Sequence, residues 1–286
     1  MPAAPFPPAL APLLGLLRCP TCGGRLHAGP GAVRCRAGHT YDVARQGYVS
    51  LLTGQRATSG DSAPMARARQ RFLAAGHYAP LREAVARLAA GAGAERGTVL
   101  DVGCGTGYYL AGVLDRLPGA RGLGLDTSVR ALRSAVQAHR RAAGASWDAF
   151  RAFPLPDGAF DLVLNVFAPR NPAEFHRVLH PAGRLVVLRP TARHLAELRG
   201  RLPAMVGIDP AKEHRLHRAL DPFFTAADTR TVEYTAPLSP PEALDLLHMT
   251  PSAHHLPPPG RIGPGSPLPH RTTVSVLATA YRPRRD

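Results

Sequence analysis

The stretch TVLDVGCGTG (98–107) decides the fold. TVLDV reads as a buried strand carrying Asp101 near its end, and Gly103, Gly105 and Gly107 follow at alternate positions. Glycines there let backbone amides come close to a ligand while the next helix, GYYLAGVLDRL (107–117), starts above it. A dinucleotide fingerprint would put its third glycine at position 108, which is Tyr108. RGLGLD (121–126) reads as the next strand and ends in Asp126, 25 residues past Asp101. A carboxylate at that place can accept hydrogen bonds from both hydroxyls of a ribose.

Working outward, helices and strands alternate. MARARQRFLAA (65–75) and PLREAVARLAA (80–90) are helical, the second with Pro80 in its first turn. A helix runs from beyond Asp126 to Arg140, and a strand after it ends near Asp148, where an acid can contact an adenine. FDLVLNV (160–166) and GRLVVLRP (183–190) are further strands, followed by the helices PAEFHRVL and ARHLAELRGRL. This alternation predicts a mostly parallel α/β sheet with helices on both faces. The finish differs. TVEYTAPLS, helix PPEALDLLHM, a proline-rich loop (251–270) and RTTVSVLATAY (271–281) suit an antiparallel edge hairpin, which brings the sheet to seven strands.

The N-terminal part has another logic. Cys19, Cys22, Cys35 and His39 form C-x2-C-x12-C-x3-H, with Gly23, Gly24 and Gly38 at the turns. Two thiolates on one knuckle and a second pair about a dozen residues later close a tetrahedral cage around zinc. All four positions are filled, so the zinc is structural, with one ion per chain. Cys104 lies in the glycine loop and is not a ligand. Short β-like pieces such as HTYDVARQGYVSLL (39–52) surround the ligands, and GQRATSGDSAP (54–64) suits a linker. Before Arg18 the proline-rich, apolar run reads as a flexible lead-in with no basic region of a secretory signal. We divide the chain into residues 1–56, lead-in and zinc module, and 57–286.

Composition narrows the partners. No apolar run approaches the roughly eighteen residues of a membrane span. Only four cysteines occur, which favours a reducing cytoplasm. The net charge is +15, which points to nucleic acid. Only Lys212 is a lysine, and a GC-rich genome would favour arginine without any functional cause. That bias does not remove acids, yet residues 1–60 hold six arginines against one acid, Asp42.

The G-x-G-x-G spacing with an acid two residues before it resembles motif I of the class I, Rossmann-like methyltransferases, and this makes S-adenosylmethionine the expected cofactor. The resemblance gives Asp101 the methionine end of that cofactor and Asp126 the ribose, with Gly103, Cys104, Gly105 and Thr106 forming the loop between them. More widely, LRCPTCGGRL, VRCRAGHTYDVARQGYVSLL, GDSAPMARARQRFLAAGHYAPL, VLDVGCGTGYY and PTARHLAEL together resemble the RlmA-type 23S rRNA (guanine-N1-)-methyltransferases. The similarity spans about Arg18 to the terminal strand, and the composition resembles the TlrB-like branch that confers tylosin resistance. It implies a guanine in hairpin 35 of 23S rRNA, at nucleotide 748, as substrate, a zinc module that helps grip RNA, and a homodimer with a basic cleft. It also adds Tyr78 and His194 to the residues around the cofactor. The chain departs from the family after Met249-Thr250-Pro251, where SAHHLPPP (252–259) replaces an aromatic-containing stretch.

Methyl transfer to guanine N1 depends on positioning and on removal of the N1 proton. A paired base must also be flipped from its helix. Candidates for the base edge and the proton are Asn165 and His194. NVFAP (165–169) lacks the paired prolines of the adenine-specific version. Two rival readings are a small-molecule methyltransferase with zinc as a fold staple, revealed by RNA-independent turnover, and a noncatalytic RNA-binding relative, revealed by failure to bind the cofactor.

Overall fold

The structure, a computed structural model, describes residues 6–52, 60–91, 96–202, 205, 218–250, 252–253 and 268–284. Over residues 6–17 the expectation of a flexible lead-in is not met. Ala11–Leu16 forms a 3-10 helix with Pro12 in its first turn. Leu10, Leu13 and Leu17 are at most 1% exposed, because their spacing turns all three onto one face of the main sheet. The metal-ligand segment follows as β1 (Leu26–Gly29), β2 (Ala32–Cys35) and β3 (Thr40–Asp42), a three-stranded antiparallel sheet. Of the stretch read as a linker, residues 53–59 lie outside the described residues.

β4 (Tyr48–Val49) leaves that small sheet and joins the large one. Then come α1 (Ala63–Ala74), capped by the Ser62 side chain, and α2 (Ala79–Ala90). β5 (Thr98–Val102), α3 (Tyr108–Arg116), β6 (Arg121–Asp126), α4 (Val129–Ala138) and β7 (Ala142–Ser146) make the first half of the sheet. β8 (Phe160–Val166), α5 (Pro172–Val178), β9 (Leu179–Pro190) and α6 (Ala196–Arg201) make the second. β10 (Phe224–Pro237), α7 (Pro240–His248) and β11 (Arg271–Pro283) complete it.

The strand order is β10-β11-β9-β8-β5-β6-β7-β4. β11 runs antiparallel to both its neighbours, as expected for the terminal hairpin, and the other pairings are parallel. The seven expected strands are therefore present, and β4 adds a short eighth against β7 through Tyr48–Gly144 and Val49–Ala145. β7 reads AAGAS, with no large side chain to betray a strand. Its smallness is a packing requirement: a Cβ on Gly144 would lie 2.9 Å from Val136 on α4 and 3.5 Å from Tyr48.

Alternation along the strands divides the core in two. Val99, Leu162, Leu164, Val186 and Val276 face α2, α3 and α7. Leu100, Val102, Leu123, Val163 and Leu185 face the opposite way, onto α5 and the N-terminal segment. The zinc unit thus supplies much of one covering layer. The order reverses between β5 and β8, so the crevice for a ligand lies at the C-terminal ends of these two strands.

Leu13 lies under this layer, so Leu13→Ala should destabilise the whole protein by about 2–4 kcal/mol. Urea unfolding followed by the fluorescence of the single tryptophan, Trp147, which shares this core, measures the loss.

Candidate functional site

Cys19, Cys22, Cys35 and His39 converge, with their ligand atoms all within 4.8 Å of one another. Cys22 Sγ lies 3.7 Å from Cys35 Sγ, and His39 Nδ1 lies 3.5 Å from Cys19 Sγ and 3.4 Å from Cys35 Sγ. A tetrahedron with Zn–S of about 2.3 Å and Zn–N of about 2.0 Å has edges of about 3.5–3.8 Å. The four residues therefore fit one zinc ion. The Tyr41 hydroxyl donates to Cys19 Sγ at 3.2 Å and is held by Thr21 Oγ1 at 2.8 Å. Burial opposes ionisation of Cys19, but Tyr41 and the backbone donors around it win and bring the thiol down to about 6.

At the switch point a cavity of about 780 Å³ opens along the strand ends. Gly103, Gly105 and Gly107 have φ of +74°, +53° and +79°, which only glycine adopts without strain. A Cβ on Gly103 would fall 2.5 Å from that of Ala168, in the turn after β8, and one on Gly107 2.8 Å from the α4 backbone at Ala135. Cys104 turns its thiol away from the cavity onto β6, where a Cβ on Gly124 would be only 2.6 Å from it. Thr106 lies on the wall and is buried.

Asp101 is 2% exposed, and its Oδ1 has no hydrogen-bond partner. Burial, and then the charge of Asp126, push its carboxyl up to about 8. Asp126 accepts the Gly105 amide at 2.8 Å and the Ser128 amide at 2.7 Å, one on each oxygen. Burial raises Asp126 too, and the two amides work against it. An unpartnered buried acid on a wall that no Cβ obstructs fits an ammonium-bearing ligand such as S-adenosylmethionine. Asp148 is not on that wall: it is buried and accepts the Phe150 amide at 3.0 Å within its own turn, leaving Trp147, Ala149 and Phe150 to line the cavity.

The far end of the cavity has a different character. His194 is 7% exposed, and its Nδ1 accepts the Ser275 amide at 3.2 Å. Its proton is therefore on Nε2, which faces the Tyr78 hydroxyl at 3.4 Å. Burial, and then Arg199, lower the ring to about 4, so it is neutral at ordinary pH. Phe167 stacks on His194 with ring centres 5.7 Å apart. Arg170 and Arg189 line the same end, and burial together with Arg189 lowers Arg170 from its usual value. Asn165 is not with them. It is fully buried behind the wall, and its Nδ2 donates to the Pro169 carbonyl at 2.9 Å, which ties down the turn that carries Phe167.

Two features escape a reading of the sequence. Arg69 on α1 forms a two-point ion pair with Asp61, at 2.6 and 3.1 Å, and donates to the Met249 carbonyl, closing one side of the cavity. Phe167 takes φ +52°, rare for a residue with a Cβ. No spacing rule flags either, because both depend on contacts between distant segments. The loop that departs from the family, 252–259, lies outside the described residues except for Ser252 and Ala253.

The sheet order, the glycine loop and the paired acids define a class I S-adenosylmethionine-dependent methyltransferase. Residues 99–186 match the family described as "Methyltransferase domain". The fold is also that of a chain in the complex between the Haloferax volcanii Trm112 methyltransferase activator and a methyltransferase (TM-score 0.51, 19% identity, 80% of this chain and 100% of that one). Residues 17–59 match the zinc ribbon described as "RlmA, N-terminal". A 23S rRNA (guanine-N(1)-)-methyltransferase relative from Micromonospora griseorubida is 45% identical over 95% of this chain and 98% of its own length. The 23S rRNA (guanine(748)-N(1))-methyltransferase of Streptomyces fradiae is 43% identical over 93% and 96% respectively. The chain belongs to the 23S rRNA (guanine-N1-)-methyltransferase family, with S-adenosylmethionine and one zinc ion as its cofactors.

Purified without chelators, the protein should carry one zinc per chain by elemental analysis. Cys35→Ser should abolish that content and expose the amides of residues 18–52 to hydrogen exchange, since metal binding and local folding are coupled. Zinc-free wild-type protein would contradict the assignment.

Proposed function

We propose that this protein methylates N1 of guanine 748, in hairpin 35 of 23S rRNA, and thereby confers resistance to tylosin-type macrolides. The observation that carries the reading is 43% identity to the guanine-748 enzyme over 96% of that enzyme's length. The cavity agrees with it chemically: its wall carries the acids Asp101 and Asp126 at the glycine loop, and Phe167, Arg170 and Arg189 after β8 and on β9.

When bound, S-adenosylmethionine supplies a methyl group on a sulfonium, electrophilic enough to need no covalent help from the protein. The chain's own residues orient and exclude water. Asp101 receives the amino end of the methionine part and Asp126 the ribose, while Gly103 to Thr106 press their backbone against the ligand and Tyr78 and His194 shape the adjoining wall. At the other end a flipped guanine stacks on Phe167, and Arg170 and Arg189 offset the charge of the neighbouring phosphates. Asn165 acts by holding the turn under Phe167. His194 presents an N–H and has no free lone pair, so it is a wall residue and not the base.

The N-terminal unit, residues 1–56, grips RNA, and residues 57–286 carry the chemistry. Arg25, Arg34, Arg36 and Arg45 are exposed on that unit, and each phosphate contact they make would release counterions. No helix among the described residues is long and apolar enough to cross a membrane; the cytoplasmic location in this reading follows from the rRNA substrate. The homodimer belongs to this reading on the strength of the resemblance.

Mass mapping of 23S rRNA from cells with and without the gene should show one added methyl at guanine 748. Unchanged rRNA in both strains would refute the proposal. The cofactor assignment has its own test in proton linkage. At about pH 6.5 the ligand's amine is already charged, whereas free Asp101, with its pKa near about 8, is protonated. An ammonium against Asp101 favours the carboxylate, so binding should release up to about one proton and affinity should rise with pH until about 8. Calorimetry of S-adenosylhomocysteine binding in buffers of different ionisation enthalpy measures the release, which Asp101→Asn should abolish.

A further inference from the structure

The N1 proton needs an acceptor, and the cavity offers no obvious one at its substrate end. Among the described residues on the wall the carboxylates are Asp61, Asp101 and Asp126. Asp61 is committed to Arg69, and the other two stand at the glycine loop. His194 already carries a proton on the only nitrogen that faces inward.

Thr191, where β9 ends, is also on the wall. Its Oγ1 lies 2.6 Å from Ser275 Oγ, and Ser275 Oγ donates to Glu233 Oε2 at 2.7 Å. Because the Ser275 proton is committed to the carboxylate, Thr191 must be the donor in the 2.6 Å contact. The Arg193 amide donates to Thr191 Oγ1 at 3.2 Å, which leaves that oxygen one further lone pair. Both hydroxyl protons therefore point one way, from the cavity to Glu233.

The frame that holds them is rigid. Ser275 is 1% exposed and sits directly opposite Glu233 in the β10–β11 register, while the Thr191 amide donates to the Ser275 carbonyl at 3.0 Å. Glu233 reaches the surface: its side chain is 33% exposed and meets Arg193 at 3.2 Å. Near these three residues, His194 lies on the same turn as Arg193 and accepts the Ser275 amide, and Glu197 on α6 has its carboxylate taken by Thr273 at 2.7 Å; Tyr234 follows Glu233 on β10, and its hydroxyl donates to the His77 carbonyl.

We propose that Thr191, Ser275 and Glu233 form a proton relay that carries the N1 proton of the target guanine from the cavity to solvent; the proposal rests on the guanine-N1 reading above. The N1–H bond breaks as Thr191 Oγ1 accepts the proton, directly or through one water. Thr191 passes its own proton to Ser275 and Ser275 passes its own to Glu233, whose carboxyl then discharges to bulk water. Both hydroxyls are regenerated. The electron pair left on N1 becomes the new N–C bond to the transferred methyl. Thr191 touches the base, and Ser275 and Glu233 act behind it.

The test is single-turnover methylation of 23S rRNA from cells lacking the modification, by the full-length protein, between about pH 6 and 9, with the product identified by mass. Thr191→Val keeps the shape and breaks the relay; Thr191→Ser keeps the relay; Glu233→Gln keeps the size and removes the acceptor. Thr191→Val and Glu233→Gln should each slow the step about 100-fold near neutrality. Both should regain rate with rising pH much more steeply than wild type, as hydroxide takes over. Thr191→Ser should stay within about threefold of wild type, and RNA and S-adenosylhomocysteine affinities should be unchanged in all three. A loss independent of pH, or equal rates for Thr191→Val and Thr191→Ser, overturns the relay while leaving the guanine-N1 reading intact. Wild-type protein that makes no N1-methylguanine overturns that reading, and the relay with it.

Discussion

The glycine loop and the turn after β8 meet where a single Cβ, on Gly103, would collide with Ala168 at 2.5 Å. That close approach brings together the ends of β5 and β8, the two parallel strands on either side of the point where the strand order reverses. The cavity on one side of the contact presents backbone amides and Asp101; on the other it presents Phe167, in a left-handed conformation that Asn165 helps to hold. Strain of this kind, of order 1–3 kcal/mol, persists only where surrounding contacts over-determine it. The fully buried Asn165 amide, bonded to the Pro169 carbonyl, is one such contact. Loosening the loop-to-turn contact would disturb both ends of the site at once.

Electrostatics divides the same cavity along its length. Burial leaves Asp101 with its carboxyl near about 8 and an unpartnered oxygen, an arrangement that a cationic ligand end would relieve. At the opposite end the charged groups are arginines, and the one histidine is held neutral by burial and by Arg199. At the glycine loop the cation on the wall, Arg69, is already taken up by a two-point pair with Asp61, so Asp101 keeps its unpartnered oxygen. Low local dielectric sharpens this division, since each unpaired charge in it is costly until its partner arrives.

The zinc unit is tied to the sheet in more than one way. β4 extends the large sheet, Leu10, Leu13 and Leu17 cover one of its faces, and the Arg18 amide bonds to the Pro154 carbonyl. The metal cage is therefore coupled to the core of the catalytic layer, and its exposed arginines are held at a fixed position relative to the cavity.

Local chemistry made much of this legible in the sequence. The four zinc ligands, the alternate glycines, Asp101 and Asp126 were each readable, because a metal cage and a close-approach loop demand given residue types at given spacings. β5, β6 and β8 were readable through their continuous apolar runs. β7 was placed only by its position between a helix and Asp148, because it has no such run: its small residues answer to Val136 and Tyr48, which pack against Gly144 from elsewhere in the chain. The lead-in was misread for a related reason: proline-rich composition suggests mobility, and only the open face of the sheet gives its leucines somewhere to be buried. Tertiary structure alone decided that Asn165 stands behind the wall, that the His194 proton sits on Nε2, and that Thr191 meets Ser275 and Glu233. Those facts depend on which strands lie side by side, and the order β10-β11-β9-β8-β5 is set by packing between segments far apart in the chain.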